Sequence, residues 1–252
     1  IFSRIHCGDE PEIGVNRILD YYRERGFVDV RCVAEEGEVV GSESSVLSVK
    51  FLIVEGIQYR VGEVMILGNN RTHPSTILRE MQLKQGDIFV PSKLRRSEED
   101  IGLLGIFSKV EIVAHSSLTN PRLKDIKIAL TESRPGIGEV GTGAAYEDPK
   151  FRIRSFLGLA YRNLFGRNHT VSFRGEVAFP ISKDSFVPFV EHATVIGLRS
   201  PNPWELPLTF NTQIGLDRFE LSPEGPKLVN RARIEERIER KVSSVTTLFY
   251  RL

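Results

Sequence analysis

Residues 136 to 141, GIGEVG, carry the spacing G-x-G-x-x-G that can cradle a dinucleotide pyrophosphate. That chemistry needs a helix opening directly behind the glycines, so that its first backbone N–H groups meet the phosphate. The residues that follow, TGAAYEDPK, contain Gly143, which weakens a helix, and Asp148-Pro149, which ends one. The segment reads better as a strand with Glu139, Gly141 and Gly143 on one face and Val140, Ala144 and Tyr146 on the other. A soluble nucleotide-binding enzyme is kept only as an alternative. The remaining reactive groups do not converge. Cys7 and Cys32 lack a CxxC spacing, and the 5 histidines are scattered. The expectation is no metal, no cofactor and no catalytic residue. The two cysteines could form one disulfide or remain thiols. Asn168-His169-Thr170 is a glycosylation sequon with meaning only in a eukaryotic secretory protein.

Bulk properties exclude little. A formal net charge of +1 gives no reason to expect nucleic acid as a partner. No window reaches the roughly 18 apolar residues of a spanning helix. A spanning strand needs only about ten residues, half of them facing lipid, so a membrane is not excluded.

The elements fall into two halves. In the first, PEIGVNRILDYYRER (11 to 25) places Val15, Ile18, Leu19 and Tyr22 on one helical stripe that Gly26 ends. A strand VDVRCVAE, a turn-rich GEVVGSESS and a strand VLSVKFLIVE follow. The same order returns from residue 91: a helix with Leu94, Ile101 and Leu104 on one side, a stop at Gly105, then the strands IFSKVEIVA and KDIKIALTE. The second copy is preceded by a strand at 59 to 68 and a helix PSTILREMQL at 74 to 83. An internal repeat is therefore expected, with its first copy lacking the opening strand and helix. Two amphipathic helices would cover one face of a three-stranded sheet and leave the other face and one edge open.

From residue 137 the helical period disappears. Phe151, Ile153, Leu157, Leu159 and Tyr161 oppose Arg152, Arg154 and Ala160, and Val171, Phe173, Val177 and Phe179 oppose Ser172, Arg174 and Glu176. Leu208, Phe210, Ile214 and Leu216 likewise oppose Thr209, Asn211, Gln213 and Asp217. The breaks NLFGRNH, PISKD, RSPNPWE and SPEGPK are rich in turn formers. The segment RIEERIERKV (233 to 242) fits a charged helix, but also a strand with Ala232, Ile234, Ile238 and Val242 on one face. The strand is preferred, because a helix would interrupt neighbour pairing in a meander. It sets Arg233, Glu235, Arg237, Glu239 and Lys241 in a ladder on the other face. Strands are expected near 137 to 146, 151 to 162, 169 to 180, 186 to 198, 207 to 219, 229 to 241 and 243 to 252. Alternation alone suits a soluble sandwich as well as a membrane barrel.

The stretch VMILGNNRTHPSTILREMQLKQGDIFVPSKLRRSEEDIGLLGIFSKVEI resembles a polypeptide-transport-associated (POTRA) domain. The likeness lies in Gly68-Asn69 after the first strand, Arg79-Glu80 ending the helix, the Gly86-Asp87 turn and the run from Leu104-Gly105 to Phe107 and Val110. A meander directly after such a domain resembles the start of the barrel in the BamA and TamA family of outer-membrane assembly proteins. Asn163, Leu164, Phe165 and Gly166 match the turn of that family's first hairpin. Its inward-loop arginine-glycine-aromatic element and aromatic-terminated last strand are not found, which leaves the subfamily open.

The resemblance implies α+β POTRA modules followed by an antiparallel transmembrane β-barrel, incomplete in this chain. It divides the chain into a partial POTRA domain at 1–57, a complete one at 58–135 and the first six or seven barrel strands at 136–252. An open sheet in lipid leaves backbone groups unpaired, so the chain is expected to continue beyond Leu252 or to pair with another. The implied protein lies in the bacterial outer membrane with its POTRA domains in the periplasm. It binds unfolded outer-membrane protein clients by strand addition and is not an enzyme. The lipid bilayer is a further partner, and periplasmic accessory proteins or lipoproteins are possible ones. The implied client edge is Phe107, Ser108, Lys109, Val110, Glu111, Ile112 and Val113. The implied gate strand carries Glu139, Val140, Gly141, Thr142, Gly143, Ala144 and Tyr146, where glycines could either loosen pairing or merely relieve crowding. A two-partner secretion or import pore of the same superfamily is the alternative.

Overall fold

The computed structural model describes residues 11–40, 45–147, 150–181, 190–220, 228–241 and 246–252. Cys7, the 41–44 part of the first expected turn, Asp148-Pro149, the 182–189 segment, the SPEGPK turn and Val242 lie outside the described residues. The chain divides into two compact units, one formed by Ile1–Asn69 with Ile77–Thr131 and the other by Asn70–Thr76 with Glu132–Leu252.

In the first unit, helix α1 (Pro11–Arg23) starts at a proline, with Glu12 in its first turn and Arg23 in its last, both favourable to the helix dipole. Gly26 follows at φ +87°, and a β-carbon there would lie 2.6 Å from the Ile88 side chain, so only glycine fits. Strands β1 (Arg31–Val40) and β2 (Ser45–Val54) form a two-stranded antiparallel sheet. The turn expected from Gly37 begins later. Gly37 pairs with Ser48 and Val40 with Ser45, because the β-branched Val39 and Val40 extend the ladder.

The rest of the unit contains β3 (Arg60–Leu67), α2 (Pro74–Leu78), α3 (Pro91–Gly102), β4 (Phe107–Ser116) and β5 (Leu123–Glu132). The sheet order is β3-β5-β4, with β3 and β5 parallel. Helix α2 is shorter than the expected 74 to 83. After Leu78 the backbone tightens, with Glu80 N–H on the Ile77 carbonyl (3.1 Å) and Met81 N–H on Leu78 (3.2 Å). This tightening turns Met81 and Leu83 into the core beside Ile77, Ile101, Ile126 and Ile128. Leu94 and Leu104 pack against the same cluster. The buried Ser97 hydroxyl donates to the Lys93 carbonyl (2.8 Å) and accepts from Gln82 N–H (2.9 Å), so it carries no desolvation debt.

The second unit is an antiparallel meander of β6 (Gly136–Glu147), β7 (Lys150–Leu164), β8 (His169–Ile181), β9 (Glu191–Pro201), β10 (Thr209–Glu220), β11 (Leu228–Lys241) and β12 (Thr247–Arg251). The strands are neighbours in sequence order, and β6 and β12 are the two edges. RIEERIERK is strand throughout, paired with β10 from Leu228 to Glu239 and with β12 from Arg237 to Lys241. GIGEVG lies inside β6, with no helix behind it.

Ile101 has no solvent exposure. Ile101→Ala should therefore weaken the first unit by about 2–5 kcal/mol, the cost of the lost methyl groups and the cavity left behind. Faster amide hydrogen exchange in β5, with β8 and β9 unchanged, is the expected result.

Candidate functional site

The first unit leaves one side of β4 without a strand partner among the described residues, since β4 is the outer strand of the β3-β5-β4 sheet. Phe107 and Ile112 turn into the core, while Ser108, Lys109, Glu111 and Val113 are exposed. A groove of about 520 Å³ runs beside this edge, between Arg95, Glu98, Glu99 and Gly102 of α3 and Phe107–Val110 of β4. Its rim mixes both charges, and Lys109 pairs with Glu111 at 2.9 Å. Such an edge can hydrogen-bond any extended backbone and selects only weakly for sequence.

The second unit has two chemically distinct faces. The directly paired residues Leu159, Phe173, Ile196, Ile214 and Ile234 form one apolar row across five strands. All five are exposed, from 38% at Phe173 to 69% at Ile234. The adjoining row on the opposite face reads Gly158, Arg174, Val195, Gly215 and Arg233. That face carries the ion pairs Arg231–Asp217 (2.8 Å), Arg237–Glu239 (3.0 Å) and Arg251–Glu235 (2.5 Å).

Strand β6 forms one edge of the sheet, and its Glu139–Ala144 stretch is directly paired with β7. Gly141 makes room for the Phe156 ring, which a β-carbon would approach to 2.5 Å, whereas Gly143 has nothing within 4 Å. The Asn163–Gly166 turn is a different kind of site. Asn163, Phe165, Gly166 and Asn168 all have left-handed backbones, with φ of 58°, 57°, 69° and 62°. The Asn163 amide oxygen accepts from Asn168 N–H (3.0 Å), and its Nδ2 donates to the Thr72 hydroxyl (2.8 Å). That hydroxyl donates onward to Glu132 Oε1 (2.6 Å), which also receives Thr72 N–H (2.7 Å) and Arg71 N–H (3.0 Å). The Gly166 carbonyl accepts from His73 N–H and the Thr76 hydroxyl, both at 3.0 Å. A β-carbon on Gly166 would collide with the Arg71 carbonyl. The Asn70–Thr76 segment is thus part of the second unit because this turn holds it.

Comparison with known proteins gives these observations a context. The POTRA family model, described as a surface antigen variable number repeat, matches residues 59–133. The outer membrane protein assembly factor BamA of Nitratidesulfovibrio vulgaris is 28% identical over 174 residues, covering 68% of this chain and 20% of that protein. BamA of Neisseria meningitidis is 30% identical over 122 residues, covering 48% and 15%. A BamA crystal structure from Haemophilus ducreyi lacking POTRA domains 1–3 superimposes with a TM-score of 0.56 at 13% identity, covering 94% of this chain and 54% of that one. Residues 59–133 are thus similar to a POTRA domain, and 68% of the chain is similar to BamA. The meander shares its fold with part of that BamA structure. CdiB from Acinetobacter baumannii shares the fold, with a TM-score of 0.54 at 14% identity over 91% of this chain and 41% of that one. The chain spans only 15% to 20% of the length of the two BamA relatives.

The client edge and gate residues expected from sequence fall on the outer edges of two separate sheets. Sequence reasoning missed Thr72 and Glu132, which lie 60 residues apart, and their link to Asn163, which is 91 residues from Thr72. It also missed Glu236, which shares the apolar face with Ile234 and Ile238 and accepts from the Thr212 hydroxyl at 3.0 Å.

Burial raises the pKa of Glu132, but hydrogen bonds from Thr72 and Arg71 outweigh it and hold the carboxyl below its ordinary value of 4.5. A depressed folded-state pKa means its contribution is present above the ordinary value and is lost as pH falls through the depressed one. The protection factors of the Thr72 and His73 amides, taken against the intrinsic rate at each pH, should therefore fall on acidification through that depressed value, and Glu132→Gln should abolish this pH dependence. Gly166→Ala should loosen the same amides by about 1–2 kcal/mol from the left-handed backbone alone, read by hydrogen exchange at neutral pH.

Proposed function

We propose that this chain is the membrane-proximal part of a non-enzymatic outer-membrane protein assembly factor. Its clients are unfolded β-barrel proteins, guided towards and into the outer membrane. The observation that carries the reading is the open β4 edge beside its groove, in the same chain as a lipid-facing sheet. An unfolded barrel strand has a free backbone edge and alternating side chains. Such a strand can add to Phe107–Val113 through main-chain hydrogen bonds while alternate side chains reach the groove. Weak side-chain selection suits a protein that handles many clients.

The second step belongs to β6. An edge strand containing Gly141 and Gly143 has little side-chain packing to break, so it is suited to exchanging one edge partner for another. Val140, Thr142, Ala144 and Tyr146 would present one face to lipid, and Glu139 with the bare Gly141 and Gly143 the other to the lumen, for an incoming strand. The Asn163–Gly166 turn fixes the end of the β7–β8 hairpin and so the level at which β6 begins. Periplasmic accessory proteins or lipoproteins are further partners of this reading.

A secretion or import pore of the same superfamily is the second reading, kept because the chain is also 25% identical over 171 residues to the chloroplastic outer envelope protein 80 of rice, covering 65% of this chain and 25% of that protein, a relative whose name specifies no assembly role. Depletion of the full-length protein separates the two. An assembly factor lowers the folded amount of many outer-membrane barrels, whereas a pore leaves them unchanged.

A proline has no N–H to donate, so a proline scan over Ser108–Val113 removes edge donors one at a time. Positions whose N–H points outward should lose client crosslinking by about fivefold or more, with the fold retained, at about the cost of one hydrogen bond each. Crosslinking that stays at the wild-type level across the whole scan would rule out strand addition at β4.

A further inference from the structure

We infer that His192, Arg218 and Asn230 form a binding site for the phosphate of an anionic lipid headgroup on the apolar face of the meander. The inference rests on the lipid-facing reading of that face and adds to it a chemical preference at one level of the sheet.

The residues form one row. Arg218 of β10 lies directly opposite His192 of β9 and Asn230 of β11, in unbroken register. Counting by twos from Ile196, Ile214 and Ile234 puts all of them on the face of those exposed isoleucines. They stand about 13 Å along the strands from the isoleucine row, on the side away from the Asn163–Gly166 turn. Directly opposed side chains on one face start about 5 Å apart, so a group seated over Arg218 is within reach of both neighbours.

What the row offers is donors. The guanidinium presents a planar fork that fits two phosphate oxygens, a neutral imidazole adds one N–H, and the asparagine amide adds its NH2. The three side chains are exposed, and no described residue hydrogen-bonds to them or pairs with Arg218. Neighbouring polar groups find partners within the sheet. On the opposite face Asp217 takes Arg231 at 2.8 Å and Arg233 at 3.5 Å. At the same level of the apolar face, the Ser155 hydroxyl donates to Thr142 Oγ1 (3.1 Å), which donates to the Arg154 carbonyl (3.1 Å).

A cation with no counter-charge is costly among acyl chains. An arginine avoids the cost by laying its stem along apolar surface and carrying its guanidinium to the headgroups. Phosphate there supplies both the negative charge and the acceptor oxygens that this row lacks. Leu216 and Ala232, one step nearer the isoleucine row, give the acyl chains of the same lipid an apolar floor. The site therefore selects phosphate joined to hydrocarbon over phosphate free in water.

The test titrates the full-length protein in detergent micelles with phosphatidic acid, read by native mass spectrometry, with heat-modifiable migration as the check on folding. Arg218→Gln should weaken binding by about tenfold, the cost of a charge-assisted hydrogen bond, and Asn230→Leu by about threefold. Arg218→Lys, which keeps the charge without the fork, should fall between Arg218→Gln and wild type. Arg237→Gln, on the opposite face, should change nothing. Wild-type affinity in Arg218→Gln overturns the site, and displacement of the lipid by millimolar inorganic phosphate overturns its assignment to a headgroup. A bimane label at Ile214→Cys, with the native cysteines replaced by serine, separates this site from the reading beneath it. Quenching of that label by nitroxide-bearing lipid in proteoliposomes is expected. Its absence overturns the lipid face and the site together, whereas quenching with undiminished binding in Arg218→Gln overturns the site alone.

Discussion

Side chains alternate across a strand while backbone N–H and C=O groups must all find partners, and the second unit depends on satisfying both conditions at once. The row from Leu159 to Ile234 would be a large apolar patch in water, of the kind that draws chains together. Against hydrocarbon it costs nothing, and the alternating register then directs Arg174, Asp217, Arg231 and Arg233 to the opposite face. One sheet thereby presents an apolar face and a charged one, and no helix among the described residues is long and apolar enough to cross a membrane.

The first unit uses the opposite strategy. Its core is an ordinary water-excluding cluster of isoleucines, leucines and aromatics beneath two short helices. What it leaves unsatisfied is backbone, along β4. The two units therefore differ in what they leave open, one the backbone edge of β4 and the other a glycine-containing edge strand.

Much of this was legible in advance, and each departure has a physical reason. The seven-strand meander followed from alternation, and the residues of β11 were resolvable because only the strand reading let neighbouring strands pair. Helix α2 ends early because burying Met81 and Leu83 outweighs continuing its hydrogen bonds, a tertiary effect that propensity does not contain. Strand β1 outruns its expected turn because pairing with β2 is a long-range gain. The node of Thr72, Glu132 and Asn163 was invisible because it joins three distant segments. Its local signals, an acidic residue closing a strand and an asparagine opening a left-handed turn, mean little until they meet. Glu236 was hidden by its neighbours: Ile234 and Ile238 marked that face as apolar, and the residue between them was not read separately.

Glu236 has a consequence for how the sheet floats. It sits with Thr212 near the end of β10 and β11 that also carries the Asn163–Gly166 turn. Placed at midplane such a carboxylate is costly, and near the headgroups the penalty fades. Sliding the sheet further into the bilayer at that end would drag the acid out of reach of water. With the sheet in a bilayer as proposed, the residue would act as a draught mark on a hull, limiting how deep this side could ride.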